Sequence, residues 1–166
     1  MMTNVMSKAL IEKIRTRQAC VSVIGLGYVG LPLAVEFAKA GLKTIAFDVD
    51  GEKVEKIRQG KSYIGDVPDD EVKTVTTTGY LTATNDFSRL ADVDTIDICV
   101  PTPLRKTGDP DLSYVVSAVD EIAKHLHVGQ LVVLESTTYP GTVEEVVRPR
   151  LESGGLKAGE NFSELA

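Results

Sequence analysis

The chain has 166 residues, and its 18 Lys and Arg stand against 24 Asp and Glu for a formal net charge of −6 and a pI near 5.0. With 43% hydrophobic residues, this is an ordinary globular composition, long enough to bury a core without disulfides or metals. The acidic balance argues against nucleic acid as a partner, because phosphate backbones favour a basic face.

No run of eighteen or so apolar residues is present, so no membrane span is expected. The opening MMTNVMSKALIEKIRTRQ lacks both a continuous apolar segment and a small-residue cleavage site, so it does not read as a secretory signal. Cys20 and Cys99 both fall in apolar runs and read as two reduced, buried thiols. A cytoplasmic location is the expectation.

Ser7 is placed to cap a short helix through about Gln18, with Leu10, Ile11 and Ile14 on one face. Lys8, Lys13, Arg15 and Arg17 read as its solvated side. Residues 1–19 are thus a helical extension preceding one domain over 20–166. Residues 20–24 read as a buried strand, and 28–39 as a helix with Val29, Leu33, Phe37 and Ala40 toward the core. Pro32 lies at the limit of what a first turn tolerates, and Gly41 closes the helix.

A second strand over 43–47 and a second helix over 51–59 follow, the latter ended by Gly60. Residues 61–79 are the least readable, although PDDEV looks like a helix start. Strands are expected over 81–84, 95–100 and 130–135, with a helical turn over 87–91. A helix over 113–126, capped by Ser113, should turn Val115, Val119, Ile122 and Leu126 inward. Thr142 and Glu145 have capping-box spacing for a last helix that Pro149 should kink or shorten.

Strands alternating with helices call for an α/β fold: a doubly wound, three-layer parallel sheet with right-handed crossovers. The expected strand order is 3-2-1-4-5. A sixth strand would only begin at NFSELA, residues 161–166, so the sheet is expected to be truncated before or within it. That would leave an open edge along 130–135, inviting self-association or a loss of order.

The stretch CVSVIGLGYVGLPLAVEFAKAG contains G-x-G-x-x-G as Gly25, Gly27 and Gly30, between a predicted strand and a predicted helix. Alone the pattern is weak, and a bare strand-to-helix turn would also explain it. In this context each glycine has a task. Gly25 makes the turn, Gly27 lets backbone approach a diphosphate, and Gly30 lets helix and strand pack closely. Leu26, Tyr28 and Val29 complete the candidate loop, where the N–H groups and positive end of a helix would meet the diphosphate.

Asp48 ends the second strand, eighteen residues after Gly30, as the fingerprint requires. Its carboxylate is suited to the ribose hydroxyls of adenosine and would repel a 2′-phosphate, pointing to NAD rather than NADP. Asp50 reads as the cap of the next helix. Lys53 is a candidate contact to the adenosine, with a solvated lysine as its alternative. His125 and His127 read as contacts to a helix C-terminus, and no Cys/His cluster has metal-ligand spacing.

Three stretches go beyond a generic fingerprint: GLGYVGLPLAVEFAKAG, ICVPTPLRKTGDPDLSYV and VVLESTTYPGT. In this order and spacing they resemble the NAD-binding N-terminal domain of the UDP-glucose/GDP-mannose dehydrogenase family, over about residues 20–162. The wording around CVPTPL is most similar to the branch that oxidises UDP-N-acetylglucosamine to its uronic acid. The resemblance implies cofactor contacts at Val100, Pro101 and Thr102, where a rigid Pro-rich turn is the plainer reading. It also implies Ser136 and Thr137 beside the nicotinamide ribose, with the Thr137 hydroxyl holding a catalytic water or the substrate. A hydroxyl capping the strand end would be the structural alternative. Arg105 and Lys106 read as a solvated loop pair, with contact to a phosphate as the alternative.

The family's second oxidation step needs a cysteine thiolate in a Gly-rich segment, within the central and C-terminal domains that this chain lacks. Neither Cys20 nor Cys99 is placed to substitute. The resemblance therefore implies binding of NAD without turnover by the chain alone, with a UDP-sugar substrate and a homo-oligomer for the longer enzyme. The competing expectation is a stand-alone dinucleotide-binding sensor or interaction module.

Overall fold

The computed structural model describes residues 2–166. Six strands form one all-parallel sheet: β1 (Cys20–Ile24), β2 (Lys43–Phe47), β3 (Leu81–Thr84), β4 (Thr95–Ile98), β5 (Leu131–Leu134) and β6 (Ser163–Leu165), in the order β3-β2-β1-β4-β5-β6. The register places Val23 beside Ala46 on one side and Asp97 on the other. This is a doubly wound Rossmann-like α/β fold, and its switch in strand order falls at the carboxyl end of β1.

Alternation along the strands feeds two cores. Val23 and Ala46 face a layer of α2 (Gly30–Lys39), α3 (Gly51–Arg58) and α4 (Asp69–Thr77), packed on Leu31, Val35, Ile57 and Val72. Ile24, Ile96 and Ile98 face α5 (Ser113–His125) and the short α6 (Arg148–Leu151), against Val119, Ile122 and Leu151. α1 (Met2–Arg15) precedes the sheet and is tied to it by Lys13, whose ammonium donates to Asp94 at 2.7 Å.

Several local expectations are corrected. Ser7 lies inside α1, not at its cap. α2 begins at Gly30, not Tyr28, so Pro32 is its third residue, where a missing N–H costs no helical bond. Ser113 is the first residue of α5, and the cap role falls to Asp111, whose carboxylate accepts the Ser113 N–H at 3.0 Å. The expected cap at Asp50 does form: its carboxylate accepts the N–H groups of Glu52 and Lys53 at the start of α3.

The Thr142–Glu145 capping box does not form. The Thr142 hydroxyl instead donates to the Tyr139 carbonyl at 2.7 Å. A π-type turn over Val143–Val147 leads into α6, with the Arg148 N–H reaching back to the Val143 carbonyl. Pro149 explains the wide turn: it has no N–H to offer and its ring crowds the preceding turn. Cys20 and Cys99 are half-buried rather than buried, and Cys99 stands just past the end of β4.

The edge of β5 is not open along its length. Leu131, Val132 and Val133 pair with Ser163, Glu164 and Leu165 of β6, and the Ser163 N–H donates to the Gln130 carbonyl. Arg148 pairs with Glu164, fastening β6 to the start of α6.

Candidate functional site

The three glycines at the end of β1 differ in what a side chain would meet. Gly25 has φ +93°, and a Cβ there would lie 2.7 Å from the Cys99 carbonyl oxygen. A Cβ on Gly30 would fall 1.7 Å from the Gly25 carbonyl oxygen, so helix and turn touch backbone to backbone. A Cβ on Gly27 would meet nothing within 4 Å. Gly25 and Gly30 are thus required by packing, whereas Gly27 opens onto space. No side chain caps α2; the Leu31 N–H already donates to the Gly27 carbonyl at 3.2 Å and Pro32 has no N–H, so it is the Gly30 N–H and those of the turn before it that face an outside acceptor. Backbone N–H groups at the start of a helix beside an open glycine are suited to the oxygens of a dinucleotide diphosphate.

Asp48 is 7% exposed just beyond β2. Its Oδ2 accepts the Leu26 N–H at 2.8 Å and its Oδ1 the Asp50 N–H at 2.9 Å. Two bonds leave a carboxylate with acceptor capacity toward ribose hydroxyls. Lys53 Nζ stands 3.9 Å from Asp48 Oδ2, so this lysine is paired rather than simply solvated. Leu26 is fully buried, its N–H held by Asp48 and its carbonyl by Tyr63, so it supports the turn rather than offering a free group to the site.

Gly25, Asp48, Lys53, Val100 and Pro101 line one cleft of about 630 Å³, whose wall is completed by Phe87 and Tyr114. Phe87 is held by its ring contact with Phe47, centroids 5.5 Å apart. Tyr28 and Val29 are strongly exposed at the turn. Ser136 lies farther along the sheet edge, its hydroxyl donating to the Val100 carbonyl at 2.8 Å and tying the loops after β4 and β5 together. Thr102 is half-buried, and Thr137 is exposed outside the cleft lining. Arg105 pairs with Asp111 across its own loop at 3.3 Å.

Sequence reasoning missed Phe87, Tyr114 and Tyr63. The hydroxyl of Tyr63 donates to the Leu26 carbonyl at 2.6 Å. Tyr63 lies in the segment with no readable periodicity, and no spacing rule pointed to it. Burial, with the charge of Glu135 beside it, pushes the Asp97 carboxyl up to about 6. Burial, then Asp97 and Glu135, push the Cys99 thiol up to about 12. The Cys20 thiol is also raised, chiefly by burial. Among the described residues no group of three or more His, Cys, Asp and Glu is placed to hold a metal ion, and no helix is long and apolar enough to cross a membrane.

A glycine cradle and a buried acid at the switch point of a parallel sheet define a dinucleotide-binding domain. Residues 19–163 match the model of the UDP-glucose/GDP-mannose dehydrogenase family, NAD binding domain, and the chain belongs to that family. NAD is accordingly its cofactor.

It is 38% identical over 143 residues to the UDP-N-acetyl-D-mannosamine dehydrogenase of Pyrococcus horikoshii, covering 86% of this chain and 34% of the relative. It is 39% identical over the same length to the UDP-N-acetyl-D-glucosamine 6-dehydrogenase of Pseudomonas aeruginosa, covering 86% and 33%. The crystal structure of a GDP-mannose dehydrogenase ternary complex from Pseudomonas aeruginosa superimposes with a TM-score of 0.82 at 38% identity, over 87% of this chain and 34% of that one. The chain spans about a third of the length of the relatives it matches.

Proposed function

We propose that the chain is the cofactor-binding part of an NAD-dependent nucleotide-sugar 6-dehydrogenase acting on UDP-N-acetylglucosamine or a related UDP-sugar. The observation that carries the reading is the contrast among the glycines: two are closed by backbone, and the one between them opens onto space beside the acid. In this reading the backbone of residues 27–29 holds the diphosphate, and Asp48 holds the adenosine ribose. Val100, Pro101 and Thr102 run along the cofactor. Ser136 and Thr137 flank the nicotinamide ribose, where the exposed Thr137 hydroxyl is accessible to water or to the sugar. Bound NAD supplies the hydride acceptor for oxidation at C6 of the sugar. A homo-oligomer is the proposed state of the longer enzyme, and the cytoplasm its proposed location.

The chain alone should not complete the reaction. A thiolate is the reactive form of cysteine, and both thiols here are raised by burial. Cys99 is also half-buried beneath the glycine turn, with its Cβ 3.2 Å from where a Gly30 side chain would begin. The relatives described above are dehydrogenases, which lends no support to a stand-alone sensor. The test mixes the chain with NAD+ and UDP-N-acetylglucosamine and follows NADH absorbance. No growth is expected, and steady turnover would show that the reacting groups lie within these 166 residues.

A further inference from the structure

Between α3 and α4 the chain passes through residues 61–68. Ile64 and Val67 of this loop are buried in the core beneath α2, and the Ser62 N–H donates to Asp69 at 2.7 Å. That anchoring holds Tyr63 against the glycine turn. Its hydroxyl donates to the Leu26 carbonyl at 2.6 Å, while the Leu26 N–H donates to Asp48 at 2.8 Å. Both peptide units flanking Leu26 are therefore fixed, one by the ribose-binding acid and one by the phenol.

The Leu26 carbonyl shares a planar trans peptide with the Gly27 N–H, so the two point in opposite directions. Fixing the carbonyl on Tyr63 aims the Gly27 N–H away from it. Lys53 faces both partners, its ammonium 5.9 Å from the Tyr63 ring centroid and 3.9 Å from Asp48 Oδ2. Burial, followed by the charges of Asp48 and Asp50, raises the phenol above its ordinary value, so it remains a donor throughout the neutral range.

We propose that Tyr63 is a positioning residue for the diphosphate of the cofactor: it fixes the Leu26–Gly27 peptide and so keeps the Gly27 N–H directed at a diphosphate oxygen. This rests on the NAD reading above. It adds a group from a separate loop, some 36 residues beyond Gly27 along the chain, on which the cradle's affinity depends. The side chain touches no cofactor atom and acts through the backbone of Leu26.

Tyr63→Phe tests it, because it keeps the ring, its burial and its contact with Lys53 and removes only the hydroxyl. Affinities for adenosine, ADP-ribose and NAD+ are measured on both proteins by calorimetry and NMR titration. Loss of one hydrogen bond should weaken ADP-ribose and NAD+ by about five- to tenfold and leave adenosine within about twofold. The Gly27 amide resonance should shift in the ligand-free Tyr63→Phe chain, while the Leu26 amide, still held by Asp48, should keep its exchange protection.

An equal loss for adenosine, or acceleration of exchange across the whole domain, would mean that Tyr63 is merely structural and would overturn the proposal. Unchanged affinities in a wild-type chain that does bind NAD+ would overturn the proposal alone. A wild-type chain that binds neither ADP-ribose nor NAD+ would bring down the cofactor reading and the proposal with it.

Discussion

The carboxyl ends of β1 and β2 differ from those of β4 and β5 in how their polar groups are settled. At the first, Asp48 accepts two backbone N–H groups, Asp50 caps α3 and Tyr63 holds the Leu26 carbonyl. At the second, the Ser136 hydroxyl ties one loop to the other, Thr137 stands exposed, and the Asp97 carboxyl, buried within β4, is raised by its burial and by the charge of Glu135. The first end is organised before any ligand arrives, as a binding site should be. The second is organised for packing, with the Thr137 side chain left outward. Within this fold the preorganised side of the switch point is the one that carries the glycine turn and Asp48.

The largest expected effect breaks the first region internally. Gly30→Ala puts a Cβ into the Gly25 backbone and should cost about 3 kcal/mol in urea unfolding. Gly27→Ala should leave stability within about 0.5 kcal/mol, because its Cβ meets open space. The same substitution should weaken NAD+ at least tenfold by occupying the cradle. Similar stability losses for both variants would show that Gly27 is a packing glycine like its neighbours.

A smaller effect sharpens the second region. The folded-state value of Asp97, about 6, lies above its ordinary 3.8, so between these values the native state binds more protons than the unfolded chain. Stability from this group is therefore full below about pH 4 and is lost as pH rises through about 6. The shift is worth at most about 3 kcal/mol, and residual solvation reduces it to about 2 kcal/mol. Asp97→Asn should flatten the pH dependence of unfolding over that window and raise stability at pH 7. Parallel wild-type and variant profiles would show that Asp97 is not strained by its burial.

The sequence made the strands, their order and the glycine–acid pair legible because those depend on runs of apolar residues and on fixed spacing within one βαβ unit. Asp48 was identifiable from its distance to Gly30, and Asp50 from its place before a helix. Caps were harder. Ser113 lost its role to Asp111, and Thr142 bonded Tyr139, because a hydroxyl choosing among nearby backbone groups leaves no periodic trace. Tyr63 was illegible for a different reason. Its partner lies 37 residues away, and its loop is shaped by the burial of Ile64 and Val67 rather than by a repeat. The short β6 could be placed in the sequence, but its pairing over three residues of β5 could not be derived from it.

The account turns on Asp48 and the open space at Gly27, and calorimetric titration of the unmodified chain with NAD+ and NADP+ tests both most directly. In the proposed reading Asp48 faces the adenosine ribose and its charge should repel a 2′-phosphate, so NAD+ should bind at least about tenfold more tightly. Equal affinities for the two cofactors, or no binding of either, would contradict the assignment of this cleft.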